Sequence, residues 1–498
     1  MDGVLEHGSV DNLLPLCSGG LFGFSPCQLW SVWAPDIPQI RNCSLLTPLG
    51  LFICLSFYSC SPPSPFLLVW GYWDIFIEKN IGVFVPQTVW CRMSSHYPNF
   101  RCSVPWLILF LEAVFLVFSY FFFSEDNSVI SYPAFQDVNH MVVLGFGFFL
   151  TFLKRYGFSS TGFNLLIIVL GVQCSMLIEN ALCYLLLGLR WSEDGLKRIT
   201  RATVSMMSVV ISTGAVLGKA NPLQLILMTV VEIIFFQLSR QINNIFLMVA
   251  DHISMMHVHL FGAYFGLAVA SRFSEPSPSS EKNTSTPKSD LFSMLGTLFL
   301  WVFWPSLNSI LSFGFKLQVI YNTYFALAVS AVTAFILSVL TTEDGKFRMS
   351  HIHSAVLAGG VTLSYAAESI NYPWIAMILG LLATVITILG SYCLQRCLYP
   401  ALKIHDASGV HFTFGLPAVL GALAQVLLTV IGSWNTSPNL GSFVLTQLGA
   451  ICQTISVAFI TGFITGLILN LKLFKTVPVS KYFEDQFYWE FPHLAVGF

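Results

Sequence analysis

From Met93 onward the chain is a succession of apolar runs of roughly 16–30 residues, separated by short polar breaks. A helix of that length crosses a hydrocarbon core of roughly 30 Å. Inside hydrocarbon only helices and closed barrels satisfy their own backbone. The runs predict spans at 104–123, 138–153, 161–187, 202–219, 222–239, 254–271, 290–313, 320–340, 351–368, 373–393, 411–433 and 441–471. Composition leaves no soluble alternative: 55% of the 498 residues are hydrophobic and 10% charged, against about 25% charged in soluble domains. The expected fold class is an all-α polytopic membrane protein with about twelve transmembrane helices in the lipid bilayer.

Residues 1–92 have another texture. They hold six of the twelve cysteines and only three basic residues, with prolines and serines clustered at Ser61–Pro65. The apolar runs there, Leu49–Cys60 and Phe66–Ile77, are too short to span a bilayer. No basic flank and cleavage site mark a signal peptide. The reading is an atypical N-terminal extension (1–92), poorly ordered or not native, with Met93 as the true start. A membrane domain (93–471) and a cytoplasmic C-terminal tail (472–498) follow.

Basic residues set the orientation. With the Met93 end inside, the inner segments hold fourteen Lys and Arg and the outer segments six, so both ends of the membrane domain are expected in the cytoplasm. The sequon at Asn283 then faces inward and that at Asn435 outward. Cys102 and Cys397 fall at the inner membrane edge, as acylation sites or as plain lipid-facing thiols. Glycines four apart, Gly262/Gly266 and Gly462/Gly466, predict close helix packing.

A net charge of −2 excludes a nucleic-acid binder, which needs a concentrated basic surface. No H-E-x-x-H, G-x-S-x-G or P-loop is present, so nothing supports an enzyme and no cofactor or metal is implied. Histidines two apart, as in His257/His259 and His351/His353, leave a helix on different sides and do not make a zinc pair.

Ionisable groups inside spans are functional candidates by default. Asp251 opens the sixth span, where an N-cap role is expected, and His259 lies eight residues deeper. Asp406 opens the eleventh, with Phe414 eight residues on. Two spans opening with Asp-x7-[His/Phe] suggest a duplicated, inverted architecture with a pathway at the repeat interface. For His257 and His411 a hydrogen bond to a neighbouring helix is the competing reading, and Glu112 and Glu232 read as buried hydrogen-bonding groups.

Residues 93–498 resemble the Rh branch of the ammonium transporter family, Rh blood-group type. The resemblance rests on Val142–Phe148, Gly214–Lys219, Phe261–Leu267, Leu300–Ser306, Ser354–Gly360 and the ending Phe491–Phe498. It implies a trimer, homomeric or mixed, with a narrow pore through each subunit. Two facing pore histidines would there strip ammonium of a proton in a dry lumen. His259 matches the first, and Asp251 and Asp406 match the acids preceding them. The second is replaced by Phe414. Val204 and Leu307 stand at two aromatic gate positions, removing a cation–π surface, and Arg240 stands where an entrance acid would attract the cation.

The resemblance therefore implies a plasma-membrane subunit of a trimeric Rh complex with reduced or no ammonium transport of its own. Such a subunit would assemble with the Rh-associated glycoprotein and anchor the membrane cytoskeleton. The alternative is a functional channel for ammonium, ammonia or a neutral gas, using Asp251, His259 and Asp406.

Overall fold

The computed structural model describes residues 100–122, 132–187, 195–276, 282–312, 316–397, 404–434 and 439–490. The N-terminal extension, the side chains of Cys102 and Cys397, the Asn435 sequon and the ending Phe491–Phe498 lie outside the described residues. Among these residues the chain is helical, with a single isolated bridge between Leu153 and Ser285.

Helix α1 (Phe100–Phe122) is followed by α2 (Tyr132–His140), a π-helical turn (Met141–Gly145), α3 (Phe146–Phe149) and a 3-10 turn (Leu150–Phe152). Then come α4 (Gly157–Leu187), α5 (Gly195–Ala215), α6 (Pro222–Ile245), α7 (Asp251–Met256) and α8 (Val258–Ala270). The second half holds α9 (Pro287–Ile310), α10 (Lys316–Thr341), α11 (Met349–Ala355), α12 (Ala358–Ala366) and α13 (Pro373–Cys397). A second π-helical turn (His411–Gly415) leads into α14 (Leu416–Ser433), and α15 (Leu440–Leu469) closes the bundle. Nine helices among the described residues are long and apolar enough to cross a membrane. The predicted spans 138–153, 202–219 and 351–368 fall on helical segments outside that set.

Two of those three differ from a plain span for a visible reason. The 138–153 run is broken by its π turn and its 3-10 end, and 351–368 is broken between α11 and α12. Hydrophobic periodicity cannot signal such breaks, because the runs stay mostly apolar through them. The sixth span starts earlier than predicted, at Asp251, and is itself broken at His257.

Helix α8 is the packing axis, held between α5 and α15. The glycine stripes explain how it fits. A Cβ on Gly262 would sit 2.3 Å from the Ser208 carbonyl oxygen, and one on Gly266 2.6 Å from the Ser212 Cα. On the opposite side a Cβ on Gly462 would meet the Phe265 carbonyl oxygen at 2.5 Å. Backbone thus lies on backbone, the contact small residues permit. The expected helix–helix role of both stripes is what the structure shows. Glu232 accepts a hydrogen bond from Ser212 in this layer, and Glu112 accepts one from Gln173 at 3.0 Å.

The tail past α15 runs back across the end of the bundle that carries Asp406. Asp485 caps α4, accepting from the backbone N–H of Phe158 (3.0 Å) and Ser159 (2.8 Å). Trp489 donates to Ser159 Oγ at 3.0 Å and lies over Gly162, where a Cβ would be 2.3 Å from its ring. Glu484 pairs with Lys282 at 2.6 Å. Phe483 is fully buried in a left-handed conformation (φ 62°), a strain of about 1–2 kcal/mol for a residue with a Cβ. Its N–H bonds the Gly218 carbonyl at 3.0 Å, and its ring fills the space beside that glycine (φ 74°), which only glycine can leave open.

Two outcomes follow from this packing. Gly262→Ala overpacks α8 against α5 and is expected to cost about 1–3 kcal/mol, read as a lowered thermal-aggregation midpoint in detergent. Burial raises the Asp485 carboxyl above its ordinary range, against the opposing hydrogen bonds from Ser159 and Phe158. A raised folded value means the group's contribution is fully present below the unfolded value and is lost as pH rises through the folded one. Protease protection of residues 472–490 is therefore expected to grow as pH falls, and Asp485→Ala is expected to expose that segment at all pH.

Candidate functional site

At one end of the bundle the sequence predicts an N-cap at Asp251, and the structure corrects it. Ala250 occupies the cap position and Asp251 is the first helical residue. Its carboxylate is held by side chains instead: Arg201 at 2.6 Å, Asn244 at 2.8 Å and Arg240 at 3.4 Å. Arg240 also reaches Glu179 at 2.7 Å, and Arg201 approaches the same carboxylate at 3.3 Å. The Arg240 side chain is 0% exposed. It is therefore a strut inside a four-charge network joining α4, α5, α6 and α7, not a charge at an open mouth. Arg201, read from sequence as a loop residue, is buried there too. Two acids and two bases cancel, so the buried charge is compensated.

Beyond this network the backbone breaks at His257. The Nδ1 of His257 is bonded to Thr454 Oγ1 (2.8 Å) and lies 3.3 Å from Asn243 Nδ2, the helix-bonded role weighed for it. His259 diverges from it. Its Nδ1 faces the Met256 carbonyl at 3.1 Å, its ring stacks on Trp304 at 5.8 Å, and it is fully buried. A carbonyl only accepts, which fixes the neutral imidazole as the Nδ1–H tautomer. The lone pair is then on Nε2, which has no hydrogen-bond partner, and neither does the indole N–H of Trp304 beside it. Buried groups of this kind are almost always satisfied. The two unpartnered atoms lie on stacked rings in the same buried layer.

Asp406, at the other end, behaves as a cap. It is buried and accepts from the His411 N–H at 3.1 Å, and burial raises its carboxyl above the ordinary range. Lys219 donates to the neighbouring His405 carbonyl at 2.5 Å, and burial with the Lys219 charge pushes the His405 imidazole down to about 4. The His411 ring turns toward Tyr264 and Phe412, and its Nδ1 is buried without a hydrogen-bond partner.

Phe414 lies in the π turn opening α14. A π turn carries one extra residue and re-aims the side chains that follow, which is why such turns recur at functional sites. Phe414 is 1% exposed, with its ring 5.8 Å from Phe146 and 6.0 Å from Phe149. The turn packs against α8, where Ala263 Cβ lies 3.4 Å from the Cβ position of Gly415. The span opened by Asp406 thus packs, from the other end of the bundle, against the span opened by Asp251. Val204 (α5) and Leu307 (α9) are both fully buried, and aliphatic carbon fills both positions.

Below Phe414, at the Asp406 end, lies a cavity of about 460 Å³ lined by Phe152, Asp290, Arg348, His353, Asp406 and Thr413 among others. Neither Trp304 and Glu179 as individual site residues nor this cavity is legible in the sequence. Charged residues in apolar surroundings, Glu179 and Arg201, were the available signal for the network.

Comparison with known proteins settles the family. Residues 101–488 match the Ammonium Transporter Family. The chain belongs to the ammonium transporter family. It is 44% identical to an RH-like protein of Macaca mulatta, 42% to the blood group Rh(D) polypeptide of Rattus norvegicus and 42% to the blood group Rh(CE) polypeptide of Homo sapiens, covering in each case 82% of this chain and the whole relative. Among solved structures it is similar to the Rh50 protein of Nitrosomonas europaea, with 29% identity, a TM-score of 0.62, and coverage of 77% of this chain and 94% of that one. The protein is thus a multi-pass membrane protein of the Amt/Rh fold with Rh blood-group-like relatives.

The buried network makes a stability prediction. Arg240→Leu strands Glu179 without its closest cation, an expected loss of about 3–5 kcal/mol. The double variant Arg240→Leu/Glu179→Leu is expected to recover much of it, read by thermal denaturation of the four members of the cycle.

Proposed function

We propose that this chain is a plasma-membrane subunit of a trimeric Rh-type complex, with both ends of its membrane domain cytoplasmic, whose own pathway carries little or no ammonium. The observation that carries the reading is Phe414, seated on Phe146 and Phe149 where a second proton-accepting side chain would have to stand. A phenyl ring accepts no proton, and ammonium enters a dry lumen only at a large desolvation cost. On this orientation Asp251 is at the extracellular end and the Asp406 cavity at the cytoplasmic end. The neutral network around Arg240 gives no net negative charge to recruit a cation. Assembly with the Rh-associated glycoprotein and attachment to the cytoskeleton complete this reading.

One observation favours a channel instead. His259 Nε2 and Trp304 Nε1, both without partners, could receive a molecule of ammonia that donates to the imidazole and accepts from the indole. The two readings separate in proteoliposomes containing this protein alone. Methylammonium and ammonia flux is expected to match that of empty vesicles. Robust flux from the parent protein, abolished in His259→Ala, would sink the subunit reading and install the channel.

A further inference from the structure

Phe149 ends α3, where the helix tightens into the 3-10 turn at Leu150. Its carbonyl oxygen is taken up by two other helices: His353 Nε2 of α11 at 2.9 Å and Ser293 Oγ of α9 at 2.8 Å. Because a carbonyl only accepts, His353 is the Nε2–H donor. That bond lays the imidazole flat on the Phe149 ring, with centroids 3.9 Å apart and planes 12° from parallel. Phe152 approaches the imidazole edge-on at 6.2 Å.

Both rings sit on closely packed backbone. A Cβ on Gly296 would be 2.1 Å from the Phe149 backbone nitrogen, so α9 lies directly on this segment. Phe149 is 1% and His353 6% exposed. On one side Phe149 touches Phe414 edge-on at 6.0 Å, and on the other His353 lines the 460 Å³ cavity. The stacked pair therefore stands between the cavity and Phe414.

We infer that Phe149 and His353 form a second closure of the pathway, in series with Phe414, and that His353 determines what passes from the Asp406 cavity toward His259. The inference rests on the space between His259 and that cavity being the permeation pathway. The ring is pinned by its own hydrogen bond to the backbone it covers, so the closure is a fixed septum. Phe414 is then only one of two barriers, and replacing it alone leaves the other intact.

The test uses Phe414→Cys in vesicles that expose the Asp406 face to a membrane-impermeant trimethylammonium methanethiosulfonate, with modification of the introduced thiol read by peptide mass spectrometry. That thiol is expected to stay unmodified while His353 is present. It is expected to react at least an order of magnitude faster when His353→Ala is added, and also with His353→Gln, which keeps a donor for the Phe149 carbonyl but removes the ring. Fast modification with His353 intact would overturn the inference, as would protection that persists in the folded His353→Gln variant. Methylammonium flux gives the functional counterpart: Phe414→His is expected to remain silent and Phe414→His/His353→Gln to conduct. The labelling result does not depend on whether the parent protein conducts, so failure of the subunit reading and failure of the septum are told apart.

Discussion

The bilayer offers no water to an unpaired backbone group, and this one constraint accounts for how the interior of the bundle is arranged. Helices α2–α3, α7–α8, α11–α12 and the start of α14 are all interrupted. Each interruption frees N–H or C=O groups that must be answered from within the protein. The Phe149 carbonyl is answered by His353 and Ser293, the Met256 carbonyl by His259, and the His411 N–H by Asp406. The polar side chains that a sequence reading marks as candidates for transport are thus also the groups that make broken helices tolerable. An ionisable residue in such a place has two employments, and only the atoms left over after the backbone is satisfied are free for chemistry. By that measure His259, with Nε2 unpartnered, keeps a free atom.

How much was legible in the sequence follows from which signals are local. The apolar runs gave the bundle, and the Asp-x7-[His/Phe] spacing pointed to two spans that pack on each other. Gly262 and Gly462 announced close approach because only glycine tolerates it. The helix breaks were not legible, since Met141–Gly145 and His411–Gly415 are as apolar as regular helix. The ion network escaped as well. Glu179, Arg201 and Arg240 sit on different helices, and a charge near the end of a span looks the same whether it faces water or a partner. The pairing of Arg240 was hidden in the same way, since nothing in its neighbours along the chain records that Glu179 waits 2.7 Å away.

The lumen chemistry shows a similar division of labour. Sequence placed Phe414 opposite His259 as a missing proton acceptor. The structure adds that the phenyl ring is an integral packing element, wedged between Phe146 and Phe149. A change at this position would therefore alter packing as well as chemistry. Aliphatic Val204 and Leu307 are buried in the same continuous core, so the interior around His259 holds together as a hydrophobic solid would. Filling such space stabilises the fold.

The terminal strap has a mechanical consequence. It fastens the loop before α4 and the loop after α5, through Arg155, Gly218 and Asn221, to the connection between the two repeats at Lys282. Asn283 in turn holds His405, in the approach to α14, at 3.0 Å. The two halves of the inverted repeat are thus stapled together along one face. Transporters built from such repeats commonly work by rocking one half against the other, and a staple that crosses the dividing line opposes that motion. Any passage through this molecule then falls to the rotation of individual side chains within a frame that stays still.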